Sequence, residues 1–243
     1  MIERFDDELL TEFAHTFYGY GDYNGRYWFI GMEEGGGNTF ADVNQRLRIW
    51  KERGKHELED LAAYHAAIGI TSYFNEKPTL QRTWAKLIRI LLSQEGSEPT
   101  TEQIREYQRS ALGRSEGDTC LVELLPLPSP STRQWLYSHH SQIDYLISRD
   151  SYQQTLLGFR ISHLKQRIDE YKPGAVIFYG FGYRYYWQEV AGVRLTKESD
   201  GIYVGENGAS LFTMLRHPAA KGVTNEYFRQ VGTIISMKLA KAL

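Results

Sequence analysis

Four short runs of apolar residues punctuate the chain: Tyr27–Gly31, Thr119–Leu125, Ala175–Tyr179 and Ser210–Leu215. Each is nearly continuous rather than alternating, the pattern of a strand buried on both faces. The three intervals between them are long enough to hold crossover helices. This spacing predicts an α/β fold, three α/β/α layers around a central, mainly parallel four-stranded sheet. Phe40, Val43, Leu47 and Trp50 recur on one helical face, after Asn38 or Thr39 as N-cap and before Gly54 as stop. Leu80, Trp84, Leu87, Ile88, Leu91 and Leu92 form a second stripe, with Arg82, Lys86 and Arg89 predicted as a solvated row on another side. Helical patterns also run through Ser151–Tyr171 and from Thr224 to the end, where Phe228, Val231, Ile235 and Leu239 share a face. Gly96–Thr100 and Leu195–Glu206 read as loops or a hairpin. With no repeat, low-complexity tract or Pro/Gly/Ser-rich linker, residues 1–243 are expected to form one domain.

Composition narrows the picture only slightly. Hydrophobic residues make up 42% and charged residues 24% of the chain, a globular balance that argues against disorder. The formal charge of -2 means that any nucleic-acid contact needs a local positive patch. The lone cysteine, Cys120, lies in an apolar run and reads as a small buried hydrophobe; it rules out an internal disulfide or a Cys-rich metal or iron–sulfur site. His139-His140 lacks a ligand spacing, and His15, His56, His65 and His163 form no cluster in sequence. No metal site is therefore expected. The first residues carry no basic region followed by an apolar stretch, and no window nears the roughly 18 apolar residues that span a bilayer. A cytoplasmic protein without a membrane partner is expected.

In open parallel sheets, ligands bind outside the carboxyl ends of the strands, so the loops after the apolar runs are the places to look for chemistry. After the first run come Gly31-Met32-Glu33-Glu34-Gly35-Gly36-Gly37-Asn38. This is no P-loop, because Gly37 and Asn38 replace the required Lys and Ser/Thr, and Glu33 and Glu34 repel phosphate. Gly180-Phe181-Gly182-Tyr183 lacks the third glycine of a dinucleotide fingerprint. Two acids beside a helix start stabilise its dipole, and one of them can also orient water or face developing positive charge. The second run places Glu123 near the end of a buried strand, where it needs a partner, and Pro126, Pro128 and Pro130 then stiffen the loop that leads to Arg133. The last run ends in Arg216-His217-Pro218-Ala219-Ala220-Lys221-Gly222. Arg133, Arg216 and Lys221 together are a candidate concentration of positive charge.

In this order, the segments resemble the uracil-DNA glycosylase superfamily over residues 24 to 240. The family carries Gly-x-Asn-Pro-Gly or Gly-Gln-Asp-Pro directly after its first strand. Gly31-Met32-Glu33-Glu34-Gly35 is similar, nearest the single-strand-selective and mismatch-specific branches. Glu123-Leu124-Leu125-Pro126 echoes an Asn-x-x-Pro-like element, His217-Pro218-Ala219 matches a His-Pro-Ser/Ala loop, and Ala175–Gly180 looks like the third strand. The resemblance implies cleavage of the N-glycosidic bond of a base flipped out of DNA, without a cofactor. It places Glu33 at the position of the water-positioning or charge-stabilising group, and His217 where the base anion develops. Gly31, Met32, Glu34, Glu123, Pro126, Arg133, Arg216, Pro218 and Lys221 would line or grip the substrate, with Glu123 reading the base edge. Three departures stand out. Glu33 replaces Asn or Asp, Glu34 replaces Pro, and Glu123 replaces an amide. An ionised Glu123 donates no hydrogen bond, which would favour a base presenting donors, such as an exocyclic amine. Phe40, Tyr73 and Phe74 are candidates for the ring that stacks on the base. Two other functions fit the same residues: a non-catalytic nucleic-acid or nucleotide-binding protein of this fold, and a hydrolase of free nucleosides or nucleotides.

Overall fold

The computed structural model describes residues 2–93 and 96–241. In chain order the elements are α1 (Asp7–Thr16), β1 (Gly19–Gly21), β2 (Tyr27–Glu33), α2 (Phe40–Glu52), β3 (Leu58–Glu59), α3 (Leu61–Ala67), α4 (Arg82–Leu92) and α5 (Thr101–Ser110). They continue with β4 (Thr119–Leu125), α6 (Tyr137–His140), α7 (Arg149–Tyr171), β5 (Ala175–Tyr179), α8 (Arg184–Ala191), β6 (Thr196–Ser199), β7 (Ile202–Glu206), β8 (Leu211–Leu215) and α9 (Asn225–Lys241).

All strands join one sheet in the order β3-β1-β4-β2-β5-β8-β7-β6. The four strands expected from the apolar runs are its centre, β4-β2-β5-β8, and every pairing among them is parallel. The expected four-stranded sheet is nevertheless too small. Among the described residues the sheet is mixed and has eight strands, because β1 and the β6–β7 hairpin pair antiparallel with β4 and β8, and β3 pairs parallel with β1. The added strands are hard to see in sequence for a physical reason. β1 is only Gly-Tyr-Gly, and β6, Thr-Lys-Glu-Ser, is an exposed edge whose charged residues discourage pairing with another sheet. The central strand β2 is buried along nearly its whole length, with Trp28, Phe29 and Ile30 fully covered.

The helices follow their caps. The Thr39 side chain accepts from the Asp42 amide to start α2, Thr100 and Gln103 form a capping box at α5, and Ser148 caps the 23-residue α7. The last helix begins at Asn225; Ala242 and Leu243, at the end of the predicted pattern, lie outside the described residues. The solvated basic row on α4 is corrected in part. Arg89 is buried and donates to the Pro99 carbonyl, and the Lys86 ammonium sits 5.6 Å from the centre of the Phe228 ring. The cause is that α4 packs against both α5 and α9, which leaves it little free surface. Gly232 lets α9 come this close, since a Cβ there would lie 2.3 Å from the Ile90 carbonyl oxygen. Cys120 is buried in β4, and among the described residues no helix is long and apolar enough to cross a membrane.

Candidate active site

The chain enters the centre of the sheet at β2, crosses to β4 on one side and later to β5 on the other. Loops leaving β2 and its neighbours therefore diverge at their carboxyl ends, and a crevice opens there. A cleft of about 670 Å³ occupies this position, lined by Met32, Glu33, Glu34, Glu123, Tyr179 and His217 and walled by Tyr73, Trp84 and Tyr183.

The two acids after β2 are held very differently. Glu34 is saturated: Arg46 Nη1 donates to its Oε1 at 2.9 Å and Tyr20 Oη to its Oε2 at 3.0 Å. Arg46 is itself buried and also pairs with Asp42 at 3.0 Å, so this acid is a structural strut. Glu33 gives Oε2 to Arg149, while Oε1 is buried with no hydrogen-bond partner. Burial raises the Glu33 pKa above the usual carboxylate value, with Arg149 and then Gln153 opposing the shift. Arg149 also donates to Ser129 Oγ at 2.6 Å and to the carbonyls of Ser131 and Gln134, both at 3.0 Å. One guanidinium thus ties the first loop to the proline loop. The sequence held a signal for it, since an arginine in the first turn of a helix opposes the helix dipole and needs another reason to be there.

Glu123 and Tyr179 come from the strands on either side of β2 and meet over Gly31. Tyr179 Oη donates to Glu123 Oε1 at 2.9 Å, and Gly31 pairs in register with Glu123. A Cβ on Gly31 would lie 2.2 Å from Tyr179 Oη and 2.4 Å from Glu123 Oε2. Gly31→Ala is therefore expected to break the Glu123–Tyr179 bond and to cost about 1–3 kcal/mol, the usual range for overpacking. Urea melts with and without Tyr179→Phe check this, because the penalty should shrink when the hydroxyl is gone. Burial pushes Glu123 up to about 8, with Tyr179 opposing and the charges of Glu34 and Glu33 adding to the rise. Burial thus favours the neutral carboxyl, whereas the expected preference for a base presenting donors assumed an ionised one.

At the lip, His217 Nδ1 accepts the Ala219 amide hydrogen at 3.1 Å, so the neutral ring carries its proton on Nε2. Partial burial lowers its pKa and favours that neutral form. Other expected contacts lie outside the cleft walls. Gly31, Pro126 and Pro218 are buried and Arg133 and Lys221 exposed, and none of the five lines the cleft. Arg216 turns to Asp200, at 2.6 Å, and its amide donates to Tyr227 Oη. Of the stacking candidates, only Tyr73 lines the cleft. Phe40 packs on Phe5 and His140, and Phe74 lies among His65, Tyr73 and Trp84. Sequence patterning had put Trp84 on an apolar helix stripe and gave no reason to single out His65, yet both belong to the wall. His65 is fixed by its Nδ1 to the Leu61 carbonyl at 2.7 Å.

No protein-family model and no curated protein matches the chain. The chemistry of the cleft must carry any assignment. Its resources are one buried carboxylate with a free oxygen, one carboxyl held neutral, a neutral imidazole and an aromatic wall. Among the described residues, no group of three or more His, Cys, Asp or Glu is arranged to hold a metal ion.

Proposed function

We propose that the chain is a distant, cytoplasmic member of the uracil-DNA glycosylase superfamily, with its three-layer α/β/α fold, and that it hydrolyses the N-glycosidic bond of a base flipped out of DNA. The observation that supports this most is convergence. Glu33, Glu123 and His217, far apart in sequence and each at the end of a parallel strand, line one cleft. Its volume suits a single nucleotide or base. As the bond breaks, Glu33 faces positive charge on the sugar or positions water, and His217 in its neutral form donates to the departing base. No cofactor enters this chemistry. Incubating the protein with oligonucleotides that bear a panel of modified bases, and then cleaving abasic sites, tests the reading. Strand breaks are expected with at least one base. His217→Ala should lower the excision rate by about 10²–10³, the effect of losing one such donor. A panel without breaks at any base overturns the glycosylase assignment.

A second reading, hydrolysis of free nucleosides or nucleotides, draws on the electrostatics of the cleft. Four acids line it, Glu33, Glu34, Asp42 and Glu123, whereas Arg133, Arg216 and Lys221 do not. Binding that weakens steeply with salt favours DNA, and binding indifferent to salt favours the free nucleoside.

A further inference from the structure

A second cavity, of about 230 Å³, lies at the amino ends of the parallel strands, the end of the sheet away from the cleft. Arg26, Gly174 and Ser210, the residues just before β2, β5 and β8, frame one side of it. Glu206, at the end of β7, and Lys238 and Leu239, near the end of α9, frame the other. Ser210 is only 4% exposed, and its hydroxyl has no hydrogen-bond partner among the described residues. Buried hydroxyls are normally paired, so one left over in a cavity wall points to a ligand that supplies the partner. The main chain beside it is fixed, because Asn207 Oδ1 accepts from the amides of Ala209 and Ser210 at 3.1 and 2.9 Å.

The charges around this cavity face it without facing each other. Arg26 lies across Gly174, where a Cβ would come within 2.9 Å of the arginine Cγ. Among the described residues, neither Arg26 nor Glu206 forms an ion pair, although both line the same cavity. Lys238 is already engaged, with Glu198 at 2.9 Å. Leu211 and Leu239 add apolar surface. A simple anion here is attracted by Arg26 and opposed by Glu206, and a simple cation meets the reverse. A zwitterion satisfies both charges. The volume falls below the ~300–1,000 Å³ of sites for drug-sized ligands, which leaves room for a molecule the size of one amino acid. We propose that this cavity binds a free α-amino acid with an aliphatic side chain. Its carboxylate meets Arg26 and accepts the Ser210 hydroxyl hydrogen, its ammonium meets Glu206, and its side chain packs on Leu211 and Leu239. The site is separate from the cleft and does not depend on the base-excision reading.

Titration of the full chain with leucine, isoleucine and valine, followed by amide NMR, tests this. At least one of them is expected to saturate with a Kd below about 10 mM, with the largest shifts at Gly208, Ala209 and Ser210. Isocaproate lacks the ammonium of leucine, and isopentylamine lacks its carboxylate. Each should bind at least about tenfold more weakly than leucine, the loss of one charge-assisted hydrogen bond. Arg26→Ala and Glu206→Gln should each weaken leucine binding by about tenfold for the same reason. Both side chains are exposed, so neither change threatens the fold. Ser210→Ala removes no internal hydrogen bond of the hydroxyl and should weaken binding by about threefold. Absence of saturation by all three amino acids overturns the proposal. So does binding of either analogue as tight as that of leucine, or a set of shifts centred on Glu33 and Glu123 in the cleft.

Discussion

Glu33→Gln is expected to slow base excision by about 10²–10⁴-fold, the range for a group that assists proton transfer at a reacting centre. Of the two acids after β2, Glu33 is the one with an oxygen to spare, since Glu34 is saturated by Arg46 and Tyr20. In a buried site, its charge acts on the substrate at far shorter electrostatic discount than in water. The pH dependence separates this from a structural effect. Burial raises the Glu33 pKa, so activity should fall as pH drops through a limb above the usual carboxylate range. Arg149 lowers that pKa, so Arg149→Met should move the acid limb further up. Burial pushes Glu123 up to about 8, so an alkaline limb is expected where its carboxyl loses the proton. Activity is thus confined to a window in which one carboxyl is ionised and the other is not, and its two limbs describe the coupled pair. Single-turnover rates across that range measure it. A glutamine variant within threefold of wild type removes Glu33 from the chemistry.

What the sequence revealed and what it hid divide along physical lines. The strands β2, β4, β5 and β8 were legible because a strand buried on both faces must be apolar throughout. Their parallel pairing followed from the intervals between them. That Glu33, Glu123 and His217 would come together at their carboxyl ends was legible because topology alone says where loops converge. The supports were not. Arg46, Arg149 and Tyr179 lie on elements distant from the acids they hold, and nothing in local spacing couples Tyr179 to Glu123 across β2. The ionisation of Glu123 was also out of reach, because it depends on burial and on Glu33 and Glu34 in three dimensions. α1 and α5 were legible in principle, by Asp6 with Leu9, Leu10 and Phe13, and by Thr100 with Gln103. The sequence also could not show that Arg216, one of the three expected positive charges, pairs with Asp200 on the loop between β6 and β7.

Arg160→Met should destabilise the fold by about 4 kcal/mol, the scale expected when buried main-chain acceptors lose a charged donor. Arg160 is fully buried. It donates to the carbonyls of Ala14, Glu123 and Leu124, and its guanidinium lies 3.6 Å from the centre of the Tyr18 ring. No carboxylate forms an ion pair with it among the described residues, and burial lowers its pKa, so its charge is compensated by carbonyl dipoles and a ring face. Methionine fills part of the volume but leaves all three carbonyls without that donor. Lysine keeps a charge but lacks the planar fork that spans several acceptors, so Arg160→Lys should recover only part of the loss. Urea melts report both, and a loss under about 1 kcal/mol would mean that water replaces the guanidinium. The consequence for the cleft follows from the helix. Arg149 and Arg160 sit about three turns apart on α7, one gripping the Glu33 carboxylate and the other the main chain of Glu123. A single rigid element thereby sets both acids in place. Arg160→Met should accordingly disturb the Glu123 titration even at temperatures where the protein remains folded, whereas a cavity of equal cost elsewhere in the core should leave that titration unchanged.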